Sequence, residues 1–408
     1  NANNANNLNN TNNVNNTNNT AGPPRAFRLA AAPMFMDLED PFTIFVLTPS
    51  ALTDKTDLVA LHQDYYGIPW NHFAAGEEPP AAWVERMAAL RDQITALGRA
   101  IYLSVTPLNG ARDTLIAMVG ESGTDLTRQE NWTDPCINLD THPLGAEMKA
   151  AYVAYVTWMV DFFSPRFLTP VIEMNLFARA CPAAAYAALA ALANTVYETE
   201  KARDPTRVIF PSFTLEHYWG WSDDSCAYGD SSCFDAHYTR DASILRDRFG
   251  YSDYPAGTIQ WKGPLPEDTY TYVLTEYGER FVFAETGFPS GDVVAPFPTS
   301  TDDCFSIIST DATAQRDHLA FLIDLVEAYD SDLLNWWSVV DFLPAHLPTA
   351  CPCDDTTDWC TVYDQMGQLG VLAPWLYWGS MGLWDFDGNP KPAATLWLDT
   401  LARPLALN

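Results

Sequence analysis

From residue 57 to residue 340, short apolar runs of strand length alternate with longer stretches of helical periodicity. That alternation restricts the fold more than any other property of the chain. Residues 57–62, 100–105, 167–172, 207–213, 251–254, 280–284 and 333–340 read as strands two to eight. The first strand lies at 27–33 or 42–47. Residues 80–97, 148–163, 182–201 and 312–328 read as helices, 244–249 as the end of another, and 396–401 as part of a last one. A helix between successive strands demands parallel crossovers rather than hairpins. Eight such units within 408 residues predict a closed (β/α)8 TIM barrel, an α/β fold in a single domain over residues 25–408.

Two of these strands run into a glutamate. Residues 281–284 lead to Glu285, after which Gly287 and Pro289 break the strand. Residues 170–175 repeat the pattern around Glu173. A charge at the end of an apolar strand is costly to place unless it is used. In a barrel, that end opens onto the active-site face. The separation is 285 − 173 = 112 residues, which is three β/α units and puts the pair on strands four and seven. Two carboxylates facing each other across a barrel mouth are what glycoside hydrolysis requires. Glu216, near the end of strand five, is the alternative acid/base. His62, Asp64, Arg112, Asn175 and His217 lie at or just beyond strand ends and are candidates for binding sugar hydroxyls, as is Asp341. Trp336 or Trp337 is expected to stack on a sugar, since strand alternation lets only one of them face inward.

The remaining constraints are compositional. Fourteen Trp, 18 Tyr and 21 Phe exceed what core packing needs, so part of them is expected to stack on sugars. A formal net charge of −30, from 52 acidic and 22 basic residues, excludes nucleic acid and anionic membranes as partners and favours a neutral polysaccharide. No apolar run has the length of a membrane span, and Asn1 opens no signal peptide, so a mature soluble form is expected. Eight cysteines predict disulfides and a secreted protein, with Cys136–Cys181 and Cys226–Cys233 as the first pairs. Cys304 and the group Cys351, Cys353 and Cys360 are the others. The Cys351-Pro-Cys353 spacing does not suit zinc, and the acidic loops 222–230 and 354–358 lack a calcium ladder. No metal or cofactor is expected. Residues 1–20 repeat two Asn and one variable residue without exception, within an extension over 1–24. This is a spacer by composition, but its period of three matches an extended left-handed helix suited to self-association or partner docking.

Glu285-Thr-Gly-Phe-Pro-Ser290 is similar to the nucleophile segment in several families of retaining (β/α)8 glycoside hydrolases, the 4/7 superfamily. Tyr254-Pro255 resembles that clan's tyrosine beside the nucleophile, and Trp336-Trp337 its aromatic floor. Residues 382–393 resemble its closing segment. The likeness covers roughly residues 25–408 and implies Glu285 as nucleophile, held by Tyr254. It implies Glu173 as an acid/base with a raised pKa, and carboxyls roughly 5–5.5 Å apart. One position departs: Ile172 stands where the clan has Asn, and the nearest amide is Asn175. The expected activity is that of a secreted retaining glycosidase. The alternative is a non-catalytic glycan-binding or structural barrel that assembles through its Asn-rich repeat.

Overall fold

The computed structural model describes residues 22–36, 45–64, 66–123, 126–127, 134–221, 226–297, 300–342 and 377–406. Eight parallel strand positions curl into one sheet: β1 Arg28–Ala31, β2 Leu58–His62, β3 Ala100–Ser104, β4 Phe167–Thr169, β5 Val208–Ile209 continued by Ser212–Thr214, β6 Phe249–Asp253, β7 Phe281–Thr286 and β8 Leu333–Trp336. The sheet closes because β1 pairs with β2 on one side and with β8 on the other, from Arg28↔Leu333 to Ala31↔Trp336. Strand β5 is broken at Pro211, which has no N–H to give to a ladder. Its first piece pairs with β4 and its second with β6. Phe210 N donates to Leu168 O at 3.0 Å and Ser212 N to Val171 O at 3.0 Å, so the barrel stays closed across the break.

The structure decides one open position and moves two sequence-predicted elements. The first strand lies within 27–33, while Phe45–Leu47 forms an antiparallel hairpin with Met34–Met36. Residues 244–249 do not end a helix. The helix is Ser231–Asp241, and Phe249 already opens β6. Strand β4 stops at Thr169, ahead of Pro170, so Glu173 lies four residues beyond it.

The outer ring includes helices Ala81–Leu97, Gly145–Phe163, Ala183–Arg203, Ser231–Asp241, Ala312–Ala328 and Pro392–Leu401. Helix Ala312–Ala328 starts where Asp311 accepts from Thr313 N and Ala314 N, both at 2.8 Å, which satisfies two otherwise unpaired amides. At the N-terminal end of the barrel strands, buried Arg25 makes a two-pronged pair with Asp57 at 2.5 and 2.7 Å. It also donates to Thr400 O, which ties β1 to the last helix. Much of the aromatic excess goes into packing. Phe213, Tyr218, Phe234 and Phe249 form one cluster between β5, β6 and helix Ser231–Asp241, with ring centroids 4.8 to 6.3 Å apart. Each such ring stabilises the fold by about 1.5–3 kcal/mol relative to exposure.

Cys136–Cys181 and Cys226–Cys233 are disulfides, with Cα atoms 5.0 and 5.8 Å apart. Cys304 falls in the hairpin strand Ser300–Ile308. The repeat at residues 1–20, the trio Cys351, Cys353 and Cys360, loop 354–358 and residues 222–225 lie outside the described residues. Among the described residues, no helix is long and apolar enough to cross a membrane.

Candidate active site

The chain leaves the ladder at Pro170 and turns through Glu173, a non-glycine residue with φ 48° and ψ 47°. A side chain in that left-handed region costs about 1–3 kcal/mol unless its surroundings hold it. They do so here. Glu173 N donates to Ser212 Oγ at 2.9 Å, and Tyr152 OH pins Pro170 O at 2.6 Å. The turn aims the carboxylate at the barrel axis, where it is gripped on both oxygens. Oε1 accepts from Ser252 Oγ at 2.9 Å and Thr214 Oγ1 at 3.3 Å, while Oε2 accepts from Arg112 Nε at 3.3 Å. Arg112 is 3% exposed and shares its charge, with Nη2 2.9 Å from Asp64 and 3.2 Å from Glu173. Asp64 is the nearer partner, so it takes the larger share of that charge.

Glu285 reaches the same pocket from β7. Phe283 pairs with Leu334 but Thr286 with Trp336, so one residue bulges out just ahead of the carboxylate. A bulge of this kind re-aims a side chain. Tyr254 OH donates to Glu285 Oε1, and Oε2 lies 3.7 Å from His62 Nδ1. Asn335 Nδ2 donates to Ala284 O at 2.7 Å and lies 3.3 Å from His62 Nε2. That leaves Nε2 as acceptor and places the proton on Nδ1, facing Glu285. Burial, reinforced by the charge of Arg112, lowers His62 to about 3 and keeps it neutral. Burial and then the charge of Glu173 push Glu285 well above the usual carboxylate range, while the Tyr254 hydroxyl opposes them. Trp337 stands edge-on to His62 at 4.8 Å and lies 5.2 Å from Trp378, giving the pocket an aromatic wall.

Glu216 occupies a separate position behind Tyr254. Its Oε1 accepts Tyr254 N–H at 2.6 Å, and its Oε2 is buried with no partner among the described residues. Burial raises it to about 7, with the charge of Glu173 adding to the rise. Neighbouring Asp253 is raised for the same first reason, followed by the charge of Glu216, although Tyr270 OH donates to it at 2.9 Å.

Glu173, Glu285, Tyr254, Arg112, Asp64, His62 and Trp337 therefore converge. Four other sequence-predicted residues turn elsewhere. Trp336 takes the opposite face of the pleat, its indole N–H donating to Met381 O at 2.9 Å. Asp341 is held by Lys391 Nζ at 2.5 Å and Gly382 N at 2.8 Å, locking the closing segment. Burial raises it to about 6 against Lys391. Asn175 spends its amide on both backbone groups of Thr214, at 2.8 and 2.9 Å. His217 donates from Nδ1 to Trp221 O at 2.7 Å and accepts from Arg179 at 3.3 Å. Ile172 is buried. Sequence reasoning missed Thr214 and Ser252, although both stand at strand ends and that signal was readable. It also missed Asn335 and Trp378. The latter follows a long connection with no periodic signal.

No family model matches the chain, and no curated protein does. Solved structures do match. GH5_18 from Streptomyces cattleya, solved with GlcNAc, aligns at a TM-score of 0.53 and 15% identity, over 93% of this chain and 80% of that one. An exo-β-1,4-mannosidase from Opitutaceae bacterium strain TAV5 aligns at 0.51 and 12%, over 94% of this chain. The present chain spans 61% of that mannosidase and 35% of a β-glucuronidase from Bacteroides uniformis, which aligns at 0.49 and 12% identity over 93% of this chain. These matched structures are glycoside hydrolases, and the chain shares their barrel fold.

Proposed function

We propose that the protein is a retaining glycoside hydrolase in which Glu285 is the nucleophile and Glu173 the acid/base. The observation that carries this reading is the division of contacts in one buried pocket. A phenol and a neutral imidazole aim their protons at Glu285, while hydroxyls and a shared guanidinium grip Glu173. Burial and the charge of nearby Glu173 both oppose ionisation of Glu285. The Tyr254 hydroxyl opposes them and favours the Glu285 carboxylate. Glu285 then attacks the anomeric carbon as the glycosidic C–O bond breaks and Glu173 protonates the departing oxygen. Glu173, now a carboxylate, takes a proton from water, which attacks the same carbon and releases Glu285.

The substrate is a neutral poly- or oligosaccharide, supported by the net charge of −30. The two disulfides support secretion into an oxidising compartment. The roles are tested with aryl glycosides of mannose, galactose, glucose, xylose and N-acetylglucosamine. Glu285→Ala should lose turnover and regain it with azide as a glycosyl azide of inverted configuration. Glu173→Ala should regain it with retained configuration. Full activity in Glu285→Ala would sink the mechanism, and an exchange of the two outcomes would swap the roles.

A further inference from the structure

The described aromatic side chains are mostly buried, and Trp261 departs furthest from that pattern, at 56% exposed. Its indole lies nearly parallel to Trp221, with an interplanar angle of 18° and centroids 5.9 Å apart. Lys262 Nζ stands 5.7 Å from the Trp221 ring. Both tryptophans belong to the catalytic face. Trp221 closes the turn that carries Glu216, its N–H donating to Glu216 O at 2.9 Å. Trp261 sits in the last turn of helix Pro255–Lys262, which starts directly after Tyr254. That helix lies among the other loops of the same face, since a Cβ on Gly257 would meet Ile308 and Tyr377 at 3.7 Å. With a rise of about 1.5 Å per residue, Trp261 stands roughly 10 Å along the helix from Tyr254.

We propose that Trp261, backed by Trp221, is a sugar-stacking platform for a ring of a neutral glycan chain, set apart from the ring cleaved at Glu173 and Glu285. An indole face presents its electron-rich side to the C–H bonds on the flat face of a pyranose. More than half of Trp261 is open to solvent, so the ring is accessible to a ligand. Trp221 fixes its plane, and Lys262 adds a donor at the rim. The inference rests on the glycosidase reading for its substrate class, and it makes the substrate a chain several rings long.

The test uses the Glu285→Gln protein, so that chains are not consumed. Binding of cello-, manno-, xylo- and galacto-oligosaccharides, from disaccharide to hexasaccharide, is measured by calorimetry. Affinity should climb with chain length for one of these series, and Trp261→Ala should lower hexasaccharide affinity about tenfold. Phe321→Ala, an exposed ring on the outer helix Ala312–Ala328, should leave that affinity unchanged. An unchanged hexasaccharide affinity in Trp261→Ala overturns the platform. So does the absence of any gain with length, even where the Glu285 protein cleaves aryl glycosides. Loss of chain affinity in Trp261→Ala, with no turnover by the Glu285 protein, keeps the platform and defeats the active-site assignment instead.

Discussion

At the scale of single residues, Tyr254 connects two carboxyls that burial perturbs. Its hydroxyl donates to Glu285 and its peptide N–H to Glu216. A hydrogen bond to a charged group contributes about 1.5–3 kcal/mol. Tyr254→Phe should therefore lower kcat/KM by roughly 10- to 150-fold. It should also move the acidic limb of the pH profile. As the proposed nucleophile, Glu285 must be ionised to attack, its acidity is already weakened by burial, and loss of the opposing phenol weakens it further. The limb should shift to higher pH, and a shift to lower pH in steady-state kinetics would contradict the contact. Glu216 yields a separate stability test. Its folded pKa, about 7, exceeds the ordinary 4.5, so the native state binds the proton more tightly than the unfolded chain. Below pH 4.5 the group is protonated in both states and costs nothing. Stability is then lost as pH rises to about 7, by a total of order 3 kcal/mol. Glu216→Gln keeps an acceptor for Tyr254 N–H, so its Tm should fall less than the parent's over that window. Parallel Tm curves would rule this out.

At the scale of elements, the strands and helices were largely legible because each repeats a short hydrophobic period. Helix Ala312–Ala328 is the clearest case, with an Asp cap and a regular apolar face. What the period does not report is where a ladder stops. Strand β4 gives out at Pro170 and β5 breaks at Pro211, because each proline withdraws a donor. The left-handed turn at Glu173 follows from the first of these breaks and from the grip of Ser212, a contact between distant segments that local pattern does not encode. Arg112 was legible only as a charge near a strand end. Its position depends on the loop around it, which the Cys136–Cys181 bond staples to the end of the helix that follows Glu173. Cys136 N donates to Asp113 O at 2.8 Å, next to Arg112 itself. Closing a loop with a sequence separation of 45 is worth about 4 kcal/mol in the chain-entropy account. Cys136→Ser with Cys181→Ser should cost a comparable stability in urea titration. It should also lower kcat more than the equivalent change at Cys226–Cys233, which closes a separation of only 7. Equal kcat values for the two double variants would uncouple the staple from Arg112.

At the scale of the whole molecule, charge sorts substrates before any subsite does. A formal −30 surrounds a mouth whose own cation, Arg112, is already shared between Asp64 and Glu173. The field that reaches solvent is therefore negative, and it extends about 10 Å at 0.1 M salt but about 30 Å at 0.01 M. A neutral chain has no net charge for that field to act on, so its kcat/KM should be nearly flat with ionic strength. An acidic chain such as a polyuronate is repelled during approach, so any turnover should rise as salt screens the field. The two slopes, measured on the same enzyme preparation between those salt concentrations, separate long-range repulsion from a subsite that rejects carboxylates by contact. Rejection by contact would leave an acidic chain equally poor at both salts. A falling slope on an acidic chain would mean that a basic surface steers it in. Part of the described surface charge is neutralised locally and cannot steer such a chain: Arg91, Arg280 and Arg316 each stand within 3.3 Å of an aspartate.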